Sequence, residues 1–521
     1  MANAKFIRTL LTLCVGFSIC FARPALAQQS MGSGGGSSSL SGGGVAASTG
    51  SQARTSGSGA SNSGASGVQL SAQQSQQLSQ YQASIPEGTA SATPISLSIA
   101  DAVNRGLRTN LGLLTNQQAS RQSRAQRLRA LSQLLPNVTG QVGFTEQQIN
   151  LAAMGFKFTP PPGSGFTIPA IVGPYGYESA LANATLPLFN WTNISNFRAA
   201  KQELKAAQLD VKNARDLVVV AVGYGYLQII EDAARVVATK AEIDSDNAIF
   251  VNATRRHEAG VAIGIDVLRS QVELKQRQQA LVAQENQLAK DKLTLGRTIG
   301  LPLGQDFIVS DPSPNVPLTA MPLTEALNQA YTNRSDYRAA KARVLAAELS
   351  LRASKAERYP AVQAQGDYGA EGLQLFTNSH GVFTATVGVT FNIFDGGRIK
   401  GDVLQSDVQL TNARNDLANL RGQIDYDVRS SLLDLKSASD QMDVAKSNVA
   451  LANQTLQQSR DRFVAGVTNT VEVVQSQQAV ADANENLISA QYQLNVAKVE
   501  LAHALGIAEE GVKKYFSSEH H

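Results

Sequence analysis

The stretch Arg256–Gln271, RHEAGVAIGIDVLRSQ, returns 206 residues later as Arg462–Gln477, RFVAGVTNTVEVVQSQ. Arg256, Ala259, Gly260, Val261, Val267, Ser270 and Gln271 recur as Arg462, Ala465, Gly466, Val467, Val473, Ser476 and Gln477, and the acid Asp266 recurs as Glu472. Each copy joins two long helical patterns. Glycine adopts the left-handed conformation that ends a helix, and a short segment after it lets the chain reverse. Each copy therefore predicts the tip of a helical hairpin. Repetition alone does not say whether such a tip is merely solvated, meets a partner or gates a passage.

The duplication extends well beyond the tips. Ala102-Val103-Asn104 matches Ala326-Leu327-Asn328 at a shift of 224, which also carries Pro136 and Val138 onto Pro360 and Val362. Leu188-Phe189-Asn190 then meets Ile393-Phe394-Asp395 at a shift of 205. The first half thus holds about 19 extra residues within Gln147–Glu178, a stretch that contains Pro160-Pro161-Pro162. An insertion of that size is expected in an exposed loop. The halves span 95–300 and 323–508, joined by a proline-rich linker at 301–322, with a short C-terminal tail at 509–521.

Within each half the periodicity changes from helix to strand and back. Leu204, Ala207, Val211, Ala214, Val218 and Ala221 keep heptad spacing, as do Leu410, Ala413, Leu417, Leu420 and Ile424 until Asp427 interrupts them. After the glycine turns, Val267, Leu274, Leu281, Leu288 and Leu295 fall every seven residues, matched by Val473, Val480, Leu487, Leu494 and Leu501. A period of 3.5 signals coiled-coil packing rather than a globular core. Helices near Thr192–Arg256 and Arg398–Arg462 would each reach roughly 95–100 Å at 1.5 Å per residue.

The strand segments alternate. Phe383, Ala385, Val387, Val389, Phe391 and Ile393 share one face, opposite Thr384, Thr386, Gly388, Thr390 and Asn392. Val362, Ala364, Gly366 and Tyr368, then Val138, Val142 and Phe144, repeat the pattern, and Ala180–Leu188 does so more weakly. One apolar and one small-polar face is the mark of a transmembrane β-strand, although a half-buried soluble sheet reads the same way. Four strands cannot close a barrel, since the smallest hold eight, and open edges are unsatisfied in lipid. A chain of this kind must pool its strands with copies of itself.

Export fits this reading. Lys5 and Arg8 precede an apolar run to Phe21, and Ala25-Leu26-Ala27 offers a cleavage site, so residues 1–27 read as a signal peptide. Both cysteines, Cys14 and Cys20, lie inside it, which leaves no expected disulfide or thiolate metal site. No later run of apolar residues approaches a transmembrane helix. Residues 28–94 are dominated by Gly, Ser, Ala and Gln, as in a disordered tether. A net charge of +3 argues against nucleic acid as a partner. The histidines His257, His380, His503, His520 and His521 are scattered, no phosphate loop or nucleophile elbow appears, and acid pairs such as Asp244 and Asp246 read as polar helix faces. No enzyme activity, cofactor or metal is expected.

The doubled helix–strand–strand–helix order and the paired R-x-x-x-G-x-x-x-x-x-(D/E)-V motifs resemble the TolC-like outer-membrane efflux family from about Leu97 to Ala508. The resemblance implies a mixed α+β membrane protein: a homotrimer with one 12-stranded barrel, four strands per chain, above a periplasmic α-helical tunnel. It implies an exit duct for an efflux or type I secretion system, set in outer-membrane lipid and fed by an inner-membrane pump through a periplasmic adaptor. It places Arg256, Gly260, Val261, Arg462, Gly466 and Val467 at adaptor-facing tips, and Asp266, Glu472 and Phe463 at a periplasmic gate. Phe463 stands where some members have a tyrosine, and Thr468 where some have an arginine that pairs with the acids. The rival reading is a periplasmic coiled-coil scaffold, which needs the helices but not the strands.

Overall fold

The computed structural model describes residues 78–155, 169–261, 263–310, 321–374, 377–465, 467–468 and 470–516. In chain order these form β1 (Ile95–Leu97), α1 (Ile99–Thr109), α2 (Leu111–Ser132), β2 (Asn137–Asn150), β3 (Ile171–Phe189), α3 (Trp191–Glu258) and α4 (Gly264–Thr298). There follow β4 (Phe307–Val309), α5 (Leu323–Asn333), α6 (Ser335–Ala356), β5 (Ala361–Gln374), β6 (Asn378–Thr390), α7 (Arg398–Val464), α8 (Thr470–Ala504) and α9 (Ala508–Phe516). The order helix, helix, strand, strand, long helix, helix occurs twice. The long helices α3 and α7 hold 68 and 67 residues, each about 100 Å.

The four long strands make one antiparallel sheet, β2-β3-β5-β6. Paired residues point to the same side of a sheet, so the register decides what each face presents. Val138↔Ala184, Val142↔Ala180, Ala182↔Tyr368, Leu186↔Ala364, Tyr368↔Phe383 and Val362↔Val389 lie on one face. Thr139↔Asn183, Asn183↔Asp367, Gln365↔Thr386 and Gln363↔Gly388 lie on the other. The apolar face is bare: Val142 is 80% exposed and Phe383 73%. A face of this extent that stays uncovered needs an apolar surrounding.

The helices follow the order of the strands. Near the sheet, α2 packs on α3, α3 on α6 and α6 on α7; toward the hairpin ends, α4 packs on α3, α3 on α8 and α8 on α7. The predicted heptad residues are all buried or half-buried. Asp427, where the α7 seam breaks, accepts from Arg334 Nη1 at 3.1 Å. Arg334 ends α5 and begins α6, and Asn110 does the same between α1 and α2.

The main core lies at this level. Val218, Val219, Val222 and Tyr226 of α3 pack with Leu97, Val103, Leu295, Ile299 and Phe307, and the Tyr226 hydroxyl donates to Leu97 O at 3.0 Å. One 18-residue window of α3 is apolar enough to span a bilayer, with mean hydropathy 1.4, contrary to the sequence reading. Of that window 61% is buried inside the chain, so it is a core segment of the helix layer rather than evidence of a span.

Several expected boundaries move. The tether expected over 28–94 is packed from Leu78: Leu78 and Tyr81 are buried, and Ser84 bridges to Asn110. Two large apolar side chains suffice to anchor a segment whose average composition is that of a coil. The linker at 301–322 contains β4, which pairs in parallel with β1 through Ile95↔Phe307. The tail expected at 509–521 is helical to Phe516, and Glu509 holds Arg215 at 2.9 Å. Part of the first-half insertion is strand rather than loop, since Ile171–Glu178 pairs with β2. Strand β6 ends at Thr390, short of Phe391 and Ile393. The signal peptide, Gly466, Pro160-Pro161-Pro162, His520 and His521 lie outside the described residues.

Candidate functional site

The end of α3 is closed by two backbone bonds. Gly260 takes φ +75°, its N–H donates to His257 O at 2.9 Å, and Val261 N–H reaches back to Arg256 O at 2.9 Å. This is the paired-bond helix stop that requires a left-handed residue. At the end of α7 the longer of these bonds recurs, from Val467 N–H to Arg462 O at 3.0 Å. Asp266 and Glu472 then fall in the first turns of α4 and α8, where the helix dipole favours a negative charge.

The two aligned acids have different neighbours. Glu472 Oε1 lies 2.8 Å from Arg462 Nη1, and its other oxygen accepts from the Thr468 hydroxyl. Asp266 lies 3.9 Å from Arg269 within its own helix. Arg256 sets its guanidinium 4.4 Å from the centre of the Phe463 ring, a cation–π contact between the two tips. The ring at 463 therefore engages a cation where a tyrosine would offer a hydroxyl. Between the tips lies a cavity of about 840 Å³ lined by Ile249, Asn252, Arg256, Asp266, Phe463 and Val473, among others. Val261 and Val464, which line it, are bare, at 67% and 86% exposed, and so is Val467 in the turn after α7, at 69%.

A polar layer absent from the sequence reading lies just behind the tips. Ser245 accepts from Gln477 Nε2 at 2.9 Å and Arg460 Nη2 at 3.2 Å, and the Ser459 and Ser476 hydroxyls are 2.7 Å apart. Ser476 and Gln477 belong to the repeated motif, and their recurrence was the available signal. Farther along, Arg277 of α4 stands 3.4 Å from Glu242, 3.5 Å from Glu273 and 3.9 Å from Asp246, and donates to Gln478 of α8. One guanidinium thus ties α3, α4 and α8. Asp246 is buried, not part of a solvated face. Burial pushes its carboxyl up to about 6, with Arg277 opposing the shift and Glu273 adding to it.

Comparison with known proteins follows from this architecture. The profile of the outer membrane efflux protein family matches residues 107–301 and again 326–507. The chain belongs to the outer membrane efflux protein family. Outer membrane protein OprJ of Pseudomonas aeruginosa is 27% identical over 349 residues, 64% of this chain and 71% of OprJ. The toluene efflux pump outer membrane protein TtgF of Pseudomonas putida is 26% identical over 319 residues, 59% of this chain. The matched part spans 65% of TtgF, just under two thirds. Among solved structures, VceC of Vibrio cholerae superposes with a TM-score of 0.66 at 17% identity, covering 78% of this chain and 96% of VceC. The open-state MtrE outer membrane channel of Neisseria gonorrhoeae gives 0.65 at 18% identity, covering 82% and 95%. At such identities these structures show the shared fold.

Proposed function

We propose that this protein is the outer-membrane exit duct of a multicomponent efflux or type I secretion system. It passes substrates that an inner-membrane pump delivers through a periplasmic adaptor. One observation carries the reading: a sheet with a bare, predominantly apolar face runs directly into a single layer of helices about 100 Å long. A coiled-coil scaffold would have no use for that face. The two halves read as a tandem repeat.

Assembly follows from the edges. Within one chain β2, α2 and α4 lie at one margin of the layer, and β6 and α7 at the other. Copies joined head to tail pair β6 of one with β2 of the next, and a ring removes every open strand edge from lipid. Family likeness supports three copies and a 12-stranded barrel. In that assembly the tips form the periplasmic entrance. Arg462–Glu472 and Arg256–Phe463 hold it narrow, and the bare valines beside them offer an apolar surface to the adaptor.

The test is twofold. Mass measurement of detergent-purified protein should give three protomers, and planar bilayers containing it should show discrete conductance steps. A stable monomer without conductance would overturn the duct reading.

A further inference from the structure

The helix ends next to the sheet carry a surplus of cations. Arg129 of α2, Arg198 of α3, Arg352 and Lys355 of α6, Arg358 just past its end, and Lys400 of α7 are all exposed. Each lies within about two turns of the end of its helix. None of the six is ion-paired among the described residues. The acids at the same level are already engaged. Glu357 and Asp402 each hold Arg398 at 2.8 Å, and Asp395 accepts from the N–H groups of Gly397 at 3.0 Å and Ile399 at 2.9 Å. The four helix ends are level with one another: Asn193 Nδ2 donates to Gln133 O at 3.1 Å, Thr192 to Ala353 O at 3.4 Å, and Asn392 Nδ2 to Glu357 O at 3.3 Å.

The side that Arg198 faces follows from one ring pair. Phe189 is the register partner of Val362, on the apolar face of the sheet. Its ring centre lies 6.3 Å from that of Trp191, which begins α3. Seven residues on is nearly two full turns, so Arg198 shares the helix face of Trp191. An aromatic pair at the rim of the apolar face, with cations one or two turns beyond, is the layout of a membrane–water interface.

We propose that these six side chains form a collar that binds the phosphate groups of anionic phospholipids in the leaflet nearest the helices. The inference rests on the membrane placement given above. Cations beside an anionic bilayer surface are attracted to it, and arginine meets a phosphate through two parallel hydrogen bonds. Among the described residues the acids at this level, Glu357, Asp395 and Asp402, are outnumbered by Arg398 and these six cations together, which leaves the collar with net positive charge. The collar would fix the depth of the barrel and the height at which the helices leave the membrane.

Trp191 is the only tryptophan in the chain, so its fluorescence reads this site alone. The full protein is reconstituted in phosphatidylcholine vesicles containing either brominated phosphatidylglycerol or brominated phosphatidylcholine. Brominated phosphatidylglycerol should quench at lower mole fraction, with a preference on the order of fivefold. The variant Arg129→Gln/Arg198→Gln/Arg352→Gln/Lys355→Gln/Arg358→Gln/Lys400→Gln should quench equally with both lipids, and a version carrying Lys at the four arginine positions should keep most of the preference. Equal quenching of the wild type, or a preference unchanged in the Gln variant, would overturn the collar while leaving the membrane placement intact. Quenching by neither lipid would overturn both.

Discussion

A side-chain carbon at Gly506 would lie 2.7 Å from the backbone nitrogen of Arg334. Gly506 closes α8 with φ +73°, against the point where α5 turns into α6. In the first half Gly300, at φ +66°, stands in the same relation to the turn from α1 to α2, and a side-chain carbon there would lie 2.5 Å from Thr109 Oγ1 and 2.7 Å from Ile85 O. Both glycines combine a left-handed backbone with the close approach of another chain segment.

Gly506→Ala and Gly300→Ala should therefore each destabilise the fold, by about 1–2 kcal/mol for the conformation and about 1–3 kcal/mol for the crowding. The melting temperature of the detergent-solubilised protein reads this. An unchanged melting temperature in both would mean that the helix junctions repack freely.

Gly260 is the contrasting case, because no atom lies within 4 Å of a side-chain carbon placed there. Gly260→Val should cost only the conformational part, about 1–2 kcal/mol, and leave assembly intact. Export should fail in cells that carry the cognate pump, because the reshaped tip no longer fits an adaptor. Normal export would remove this tip from the docking surface.

The Arg462–Glu472 pair is half-exposed, and a pair of that kind contributes about 0–1 kcal/mol to stability. Arg462→Ala should barely change the melting temperature, yet raise the mean conductance of the reconstituted channel. Glu472→Gln should act in the same direction, and the double variant should add little to either single change. Strict additivity of the conductance gains would show that the two residues act separately.

Stability should rise on acidification over the range set by the buried acids. Burial pushes Asp246 up to about 6; it pushes Glu500 up to about 7, with Asp434 adding to the shift, and Asp216 to about 7, with Glu509 adding. Each folded value lies above the ordinary one, so between about pH 4 and pH 7 these three groups bind more protons in the folded chain than in the unfolded chain; His503, held down to about 4 by burial, opposes them with a single proton. Stability then falls as pH rises through this window and levels off above it. Asp246→Asn keeps the shape and removes the ionisation, so it should stabilise the protein at pH 8, by on the order of 1–2 kcal/mol, and flatten the profile. Chemical denaturation at pH 5 and pH 8 checks both the sign and the residue.

Duplicated glycine turns, heptads and alternating strand faces were legible in the sequence because each depends on the spacing of nearby residues along one element. Val267 and Leu274 recur at seven because they share a helix face; Val387 and Val389 recur at two because they share a strand face. That all four strands turn their apolar residues to the same side was decided by register, through pairs such as Leu186↔Ala364 that lie far apart in the chain. The same holds at the candidate site. The sequence marked Asp266, Glu472 and Phe463, and the turn between α7 and α8 by itself brings Arg462 to Glu472, but Arg256 met Phe463 only when two hairpin ends were brought together. Asp246 looked like one more polar residue on a solvated helix. Its burial and its neighbour Arg277 exist because α4 packs back along α3, and no local pattern encodes which charge will face another across a helix interface.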